Sequence, residues 1–218
     1  MISAQASEPG AAEYDLAARY GPPAARPAVI ALLSLDRRLG GIVRRAGDPT
    51  IGLMRLTWWG EALAALDREP PPAEPLLRAL AAAGVRGAPL GEMIEGWAVL
   101  LEGDPVDVPA LERFARERGG RLFGALGEAL GATDPRVGVL GEGWALADLA
   151  THLTDPAVVA LARSMAAARL ARCNEARWPR DLRTLGALGL LARSDLAGGT
   201  AGSPARVGRL LVHRLTGR

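Results

Sequence analysis

The chain has 218 residues, with 26 basic and 24 acidic side chains and a formal net charge of +2. At 49% apolar and 23% charged residues it is too apolar and too balanced in charge for a disordered chain, and its length suits one large domain or two very small ones. One cysteine, Cys173, excludes an intramolecular disulfide framework and a multi-cysteine zinc site. The sequence has no Lys. Its Arg residues are spread along the chain rather than gathered in a patch, which argues against a nucleic-acid module. With only two Phe, two Tyr and five Trp, the core must be Leu, Ala and Val. Ala and Leu favour helix, so an all-α fold is expected. No run reaches the roughly 20 apolar residues of a spanning helix. The first ten residues lack the regions of a secretory signal. The expected location is the bacterial cytoplasm, with peripheral contact at the inner membrane left open.

Pro and Gly punctuate ten helical segments. A short helix over Glu13–Tyr20 stops at Gly21-Pro22-Pro23. The next runs from Pro27 to about Arg45. Asp48 or Thr50 can cap a third helix from Ile51 to Asp67, where Leu56, Trp59, Leu63 and Leu66 recur at intervals of three and four. Helices over Glu74–Ala83 and Leu90–Leu101 follow. Pro109 opens a long helix to Leu130. It carries Gly119-Gly120, which predicts a kink or a close approach to the backbone. Further helices cover Pro135–Leu153, Ala157–Arg172, Leu182–Ala192 and Ala205–Leu215. On the last, Arg206, Arg209 and His213 fall on one stripe, and Val207, Leu210, Leu211 and Leu215 on another. That pattern suits either docking on an acidic membrane or ordinary packing on the core. No strand pattern and no clear boundary interrupt the series. One all-helical domain over residues 1–218 is expected, with residues 1–12 flexible.

Few residues carry an obvious chemistry. Asp148 and His152 stand at i, i+4 on one predicted helix, so they can face a metal or each other. Two ligands do not make a metal site. Arg55 is either a surface residue or part of an anion-binding cluster with Arg44 and Arg45. Gly40 and Gly41 inside a helix read as tight packing by a neighbour. Trp58, Trp59, Trp97 and Trp144 read as core anchors.

The segment Asp15–Leu63 resembles the N-terminal part of squalene/phytoene synthase-like proteins. The resemblance rests on Tyr20, Pro22 and Arg26, the apolar run Val29–Leu35, Asp48-Pro49, and above all Met54-Arg55-Leu56-Thr57-Trp58-Trp59-Gly60-Glu61-Ala62-Leu63. Phe114–Leu122 resembles the family's helix with small residues beside the substrate, here Gly119 and Gly120. Gly141–Pro156 resembles its second conserved helix. The resemblance implies an all-α bundle of the isoprenoid-synthase type around an apolar cavity. It also implies two DxxxD motifs that hold Mg²⁺ for head-to-head joining of prenyl diphosphates. Carboxylates at i and i+4 share a helix face, and hard Mg²⁺ takes oxygen ligands.

Counted from Arg26, the first motif falls on Gly40-Gly41-Ile42-Val43-Arg44, with Gly40 and Arg44 in place of the aspartates. The second falls near His152–Pro156, with His152 and Pro156 in place of carboxylates. Asp148 and Asp155 stand seven residues apart and do not restore it. Members lacking these aspartates resemble mitochondrial complex I assembly factors and their bacterial relatives. The resemblance therefore favours a non-catalytic protein with no metal cofactor, an assembly or scaffold factor at the membrane surface. Its partner would be a respiratory-complex subunit or the membrane itself. An Mg²⁺-dependent prenyltransferase and an isoprenoid- or lipid-binding protein are the alternatives. Arg55, Trp58, Trp59, Gly119 and Gly120 are candidate anion or cavity contacts.

Overall fold

A computed structural model describes residues 11–102, 106–173 and 176–218. Residues 1–10, most of the segment expected to be flexible, lie outside the described residues, whereas Ala11 and Ala12 already belong to the first helix. The all-α expectation holds, and no strand occurs among the described residues. The helices are α1 (Ala11–Ala18), α2 (Arg26–Arg44), α3 (Pro49–Ala65), α4 (Pro75–Ala82), α5 (Ala88–Ala98), α6 (Val108–Phe114), α7 (Arg121–Ala129), α8 (Val137–Ala150), α9 (Pro156–Ala171), α10 (Arg183–Leu196) and α11 (Pro204–Thr216).

The punctuation sets the boundaries for local reasons. Asp48 caps α3 by accepting from Thr50 N at 2.8 Å, and Pro49 occupies the first turn, where its missing N–H costs nothing. Asp155 and Pro156 do the same for α9, with Asp155 accepting from Ala157 N at 2.8 Å. Along α2 the buried residues Val29, Leu32, Leu33, Asp36, Leu39, Gly40 and Val43 follow the helical period and turn one face inward. Each fully buried Leu there contributes about 1.5–3 kcal/mol.

The long helix expected over Pro109–Leu130 is a rod of three pieces. α6 passes into a π-helical segment, Ala115–Gly120, and then into α7. A π segment rotates the helix register and often marks a functional position. Here it meets α8. A Cβ added to Gly119 would lie 2.2 Å from the Gly141 carbonyl oxygen, and one added to Gly141 would lie 2.2 Å from that of Gly119. The two backbones touch because both residues lack side chains. Gly120 faces open space.

α8 lies at the centre, packed on α9, the π segment, α10 and α7, while α3 packs on α5, and α2 packs on α4 and α7. One contiguous core joins Leu32, Leu39, Phe114, Phe123, Leu140 and Leu188. On α11 the two stripes do not separate as the sequence suggests. Arg206, Leu210 and His213 form its buried face, while Leu211, Val212 and Leu215 are exposed. Arg206 turns inward because it pairs with Glu13 at 2.9 Å and with Asp195. Its charge is therefore met inside the fold rather than presented to a membrane. No helix among the described residues is long and apolar enough to cross a membrane.

Candidate functional site

A cavity of about 450 Å³ opens between α1, α2, α5, α8 and the start of the loop after α10. Tyr14, Leu33, Trp97 and Trp144 supply its apolar wall, and Asp36, Arg118, Asp148, His152 and Asp195 its polar one. Its floor is an ion triad. Arg118, carried by the π segment, donates from Nε to Asp36 Oδ1 and from Nη2 to Asp36 Oδ2, both at 2.8 Å. On its other side Nη1 lies 2.7 Å from Asp148 Oδ2, an ion pair out of hydrogen-bond alignment. The side chains of Arg118 and Asp36 are 3% and 7% exposed, so this is an interior charge cluster, with the 27% exposed Asp148 at its rim.

Aromatic rings enclose the guanidinium. Its central carbon sits 4.1 Å from the centre of the Trp97 ring, 4.8 Å from Trp144 and 5.3 Å from Phe114. Ring faces attract a cation, and more strongly where water is excluded. Gly40 makes room for this arrangement: a Cβ there would lie 2.8 Å from the Trp97 ring.

Charge sets the protonation of Arg118 and Asp148. Burial opposes the charge on Arg118, but Asp36 and Asp148 outweigh it and hold the guanidinium protonated beyond its usual range. Burial likewise opposes ionisation of Asp148, yet Arg118 and then His152 hold its carboxyl below the usual carboxylate range. His152 Nε2 lies 3.7 Å from Asp148 Oδ1, beyond hydrogen-bond distance. Above the triad, Trp144 Nε1 donates to the Tyr14 hydroxyl at 3.3 Å. Burial, with Asp148 and Asp195 nearby, pushes the Tyr14 phenol up. At neutral pH it is a neutral hydroxyl.

The candidate residues separate into four groups. Arg44, Asp148 and His152 line the cavity, and Gly40 shapes it. Asp155 and Pro156 do not reach it, because they form the N-terminal cap of α9. Gly119 makes the contact with α8, and Gly120 touches neither α8 nor the cavity wall. Gly41, Arg55, Trp58 and Trp59 line a separate groove of about 290 Å³ on the outer side of α2, with Arg38, Ile42 and Arg45. Trp59 is buried there, and Trp58 is 46% exposed. α2 and α8 share no extended packing; Arg118 of the π segment links their carboxylates instead.

Two central residues escaped the motif count. Asp36 lies one turn before Gly40, so a register starting at Gly40 passes over it. A signal was present, since Asp36 is the sole carboxylate of α2 and falls in its apolar register. Arg118 had no comparable signal, being one of four Arg between Arg113 and Arg121.

An all-helical bundle enclosing an aromatic-walled cavity, with acidic side chains from two helices turned toward its floor, defines the class of isoprenoid-synthase-like proteins. The family model for squalene/phytoene synthase matches residues 9–172, and the chain belongs to that family. No curated protein and no solved structure matches it significantly.

The family implies Mg²⁺ between the facing carboxylates. The residues present do not fit it. Mg²⁺ needs near-octahedral oxygen ligation. Asp36 and Asp148 both face the same guanidinium, Gly40 offers no ligand, and Arg44 carries the wrong sign. Among the described residues no group of three or more His, Cys, Asp or Glu is placed to hold a metal ion.

Proposed function

We propose that this chain is a non-catalytic squalene/phytoene synthase-like protein that acts through binding, as an assembly or scaffold factor at the membrane surface. The observation that carries the reading is Arg118. A diphosphate leaves only when its charge is neutralised, and a metal held by carboxylates does this by bridging to the leaving oxygens. Here a single internal guanidinium pairs with the carboxylates of both α2 and α8 instead. Arg118 is boxed in by Trp97, Phe114 and Trp144 and cannot swing out to a substrate without leaving the buried Asp36 unpaired and Asp148 without its cation. The remaining 450 Å³ of aromatic-walled space suits an apolar ligand that is held rather than converted.

Incubation with farnesyl or geranylgeranyl diphosphate and Mg²⁺ or Mn²⁺ tests this. No pyrophosphate release is expected. A squalene- or phytoene-type product that disappears in Asp148→Asn would instead establish the prenyltransferase. Copurification with a respiratory-complex subunit is the expected positive result for the scaffold role. A tightly bound isoprenoid or lipid recovered without turnover and without such a partner would reassign the protein as a carrier.

A further inference from the structure

The outer groove between α2 and α3 has a composition unlike the rest of the surface. Seven residues line it; three are Arg38, Arg45 and Arg55, and none is acidic. Arg38 is engaged, loosely, with Glu74 at 3.7 Å. Arg45 and Arg55 form no ion pair among the described residues. Beside the groove, Ile51, Met54 and Trp58 follow one another at i, i+3 and i+7 on α3 and are 50%, 68% and 46% exposed. Exposed carboxylates stand only at the two ends of that face, Asp48, engaged as the cap of α3, before Ile51 and Glu61 after Trp58.

We propose that this face docks on an anionic phospholipid bilayer, with headgroup phosphates in the Arg38–Arg45–Arg55 groove and Ile51, Met54 and Trp58 in the interfacial layer. Charge complementarity selects the phosphate: guanidinium forks pair with phosphate oxygens, and an uncompensated basic groove attracts an acidic surface. The apolar fringe selects the bilayer over a soluble anion. A free phosphate gains nothing from three exposed apolar side chains, whereas a bilayer interface buries them and favours a tryptophan at headgroup level. Trp58 is poised for this, because it stands edge-on to the buried Trp59, with ring centres 5.4 Å apart, and half of it faces outward. The proposal rests on the membrane-surface reading above, but not on whether the cavity turns over a substrate.

Trp58 is also the reporter. The other four tryptophans are 3–5% exposed, so a change in emission on binding comes from position 58. The full chain is mixed with phosphatidylcholine vesicles with and without phosphatidylglycerol, at low and high salt. Flotation and quenching by brominated lipid are read together. Binding to the anionic vesicles alone is expected, weakened by salt, with quenching that Trp58→Phe abolishes. Each basic residue near an anionic surface is worth roughly fivefold in partitioning. The exposed double variant Arg45→Glu/Arg55→Glu is therefore expected to lose more than about tenfold while keeping its circular dichroism. Undiminished binding by that variant would overturn the proposal and point to the apolar side of α11. Failure to bind vesicles, with Trp58 emission responding to inorganic phosphate, would reassign the groove to a soluble anion. Failure to bind vesicles, with binding to polyglutamate that the double variant loses, would reassign it to an acidic protein.

Discussion

Arg118 grips Asp36 with two parallel bonds, Nε to Oδ1 and Nη2 to Oδ2, each 2.8 Å long, across 82 residues of chain. This fork fixes the rod against α2, and the third nitrogen ties both to Asp148 on α8. Removing one member of a buried ion cluster leaves charge without a partner, at a cost of about 3–5 kcal/mol. Arg118→Ala is therefore expected to lose that much stability in urea unfolding. Arg118→Lys keeps the charge but loses the fork, so it should fall between Arg118→Ala and the wild type. Equal stability of all three would show that the triad does not hold the helices together.

The glycine pair of the rod gives a contrast within two adjacent residues. Gly119→Ala, like Gly141→Ala, places a methyl 2.2 Å from a backbone carbonyl, which no rotamer relieves. Either should destabilise the fold by about 2–3 kcal/mol, as overpacking does. Gly120 has helical angles and open space around it. Gly120→Ala should stabilise by up to about 1 kcal/mol through helix propensity. Thermal unfolding of the three variants reads both signs.

His213 predicts a pH dependence. The ring is buried between α10 and α11, with Nε2 donating to the Arg183 carbonyl at 3.0 Å. Burial drives its pKa below the usual 6.5, outweighing that bond. The unfolded chain thus takes up a proton that the folded one refuses. This stability is complete above the unfolded pKa and is lost as pH falls through about 6.5 toward the lower folded value, by up to about 1.4 kcal/mol per pH unit. His213→Gln can still donate to Arg183 but does not titrate. Its stability, measured from about pH 7.5 to about pH 5.5, should change less than that of the wild type. An identical slope would remove His213 as the cause.

The helices were legible because their signals are local. Pro49 and Pro156 with their Asp caps, and the three-and-four spacing of Leu56, Trp59 and Leu63, need no knowledge of the rest of the chain. The site was legible only in part. Asp148 and His152 sit on one turn and could be paired from spacing alone, whereas the bond from Arg118 to Asp36 joins two helices whose register no local pattern records. α11 shows the same limit. Hydrophobicity turns its Leu stripe inward, but the acids Glu13 and Asp195, distant in sequence, pull Arg206 into the interior instead. The π segment has no reliable local code either, although its glycine pair marked the place.

The most direct test of the claim that an arginine stands where the family holds a metal is a Mn²⁺ titration followed by electron paramagnetic resonance. Free Mn²⁺ gives a sharp six-line signal that vanishes on tight coordination. With Asp36 and Asp148 committed to Arg118, the signal should rise with added Mn²⁺ as it does in buffer, and Asp148→Asn should leave the titration unchanged. Stoichiometric loss of the signal in the wild type, restored by Asp148→Asn, would contradict the claim and return the cavity to the metal-dependent prenyltransferases.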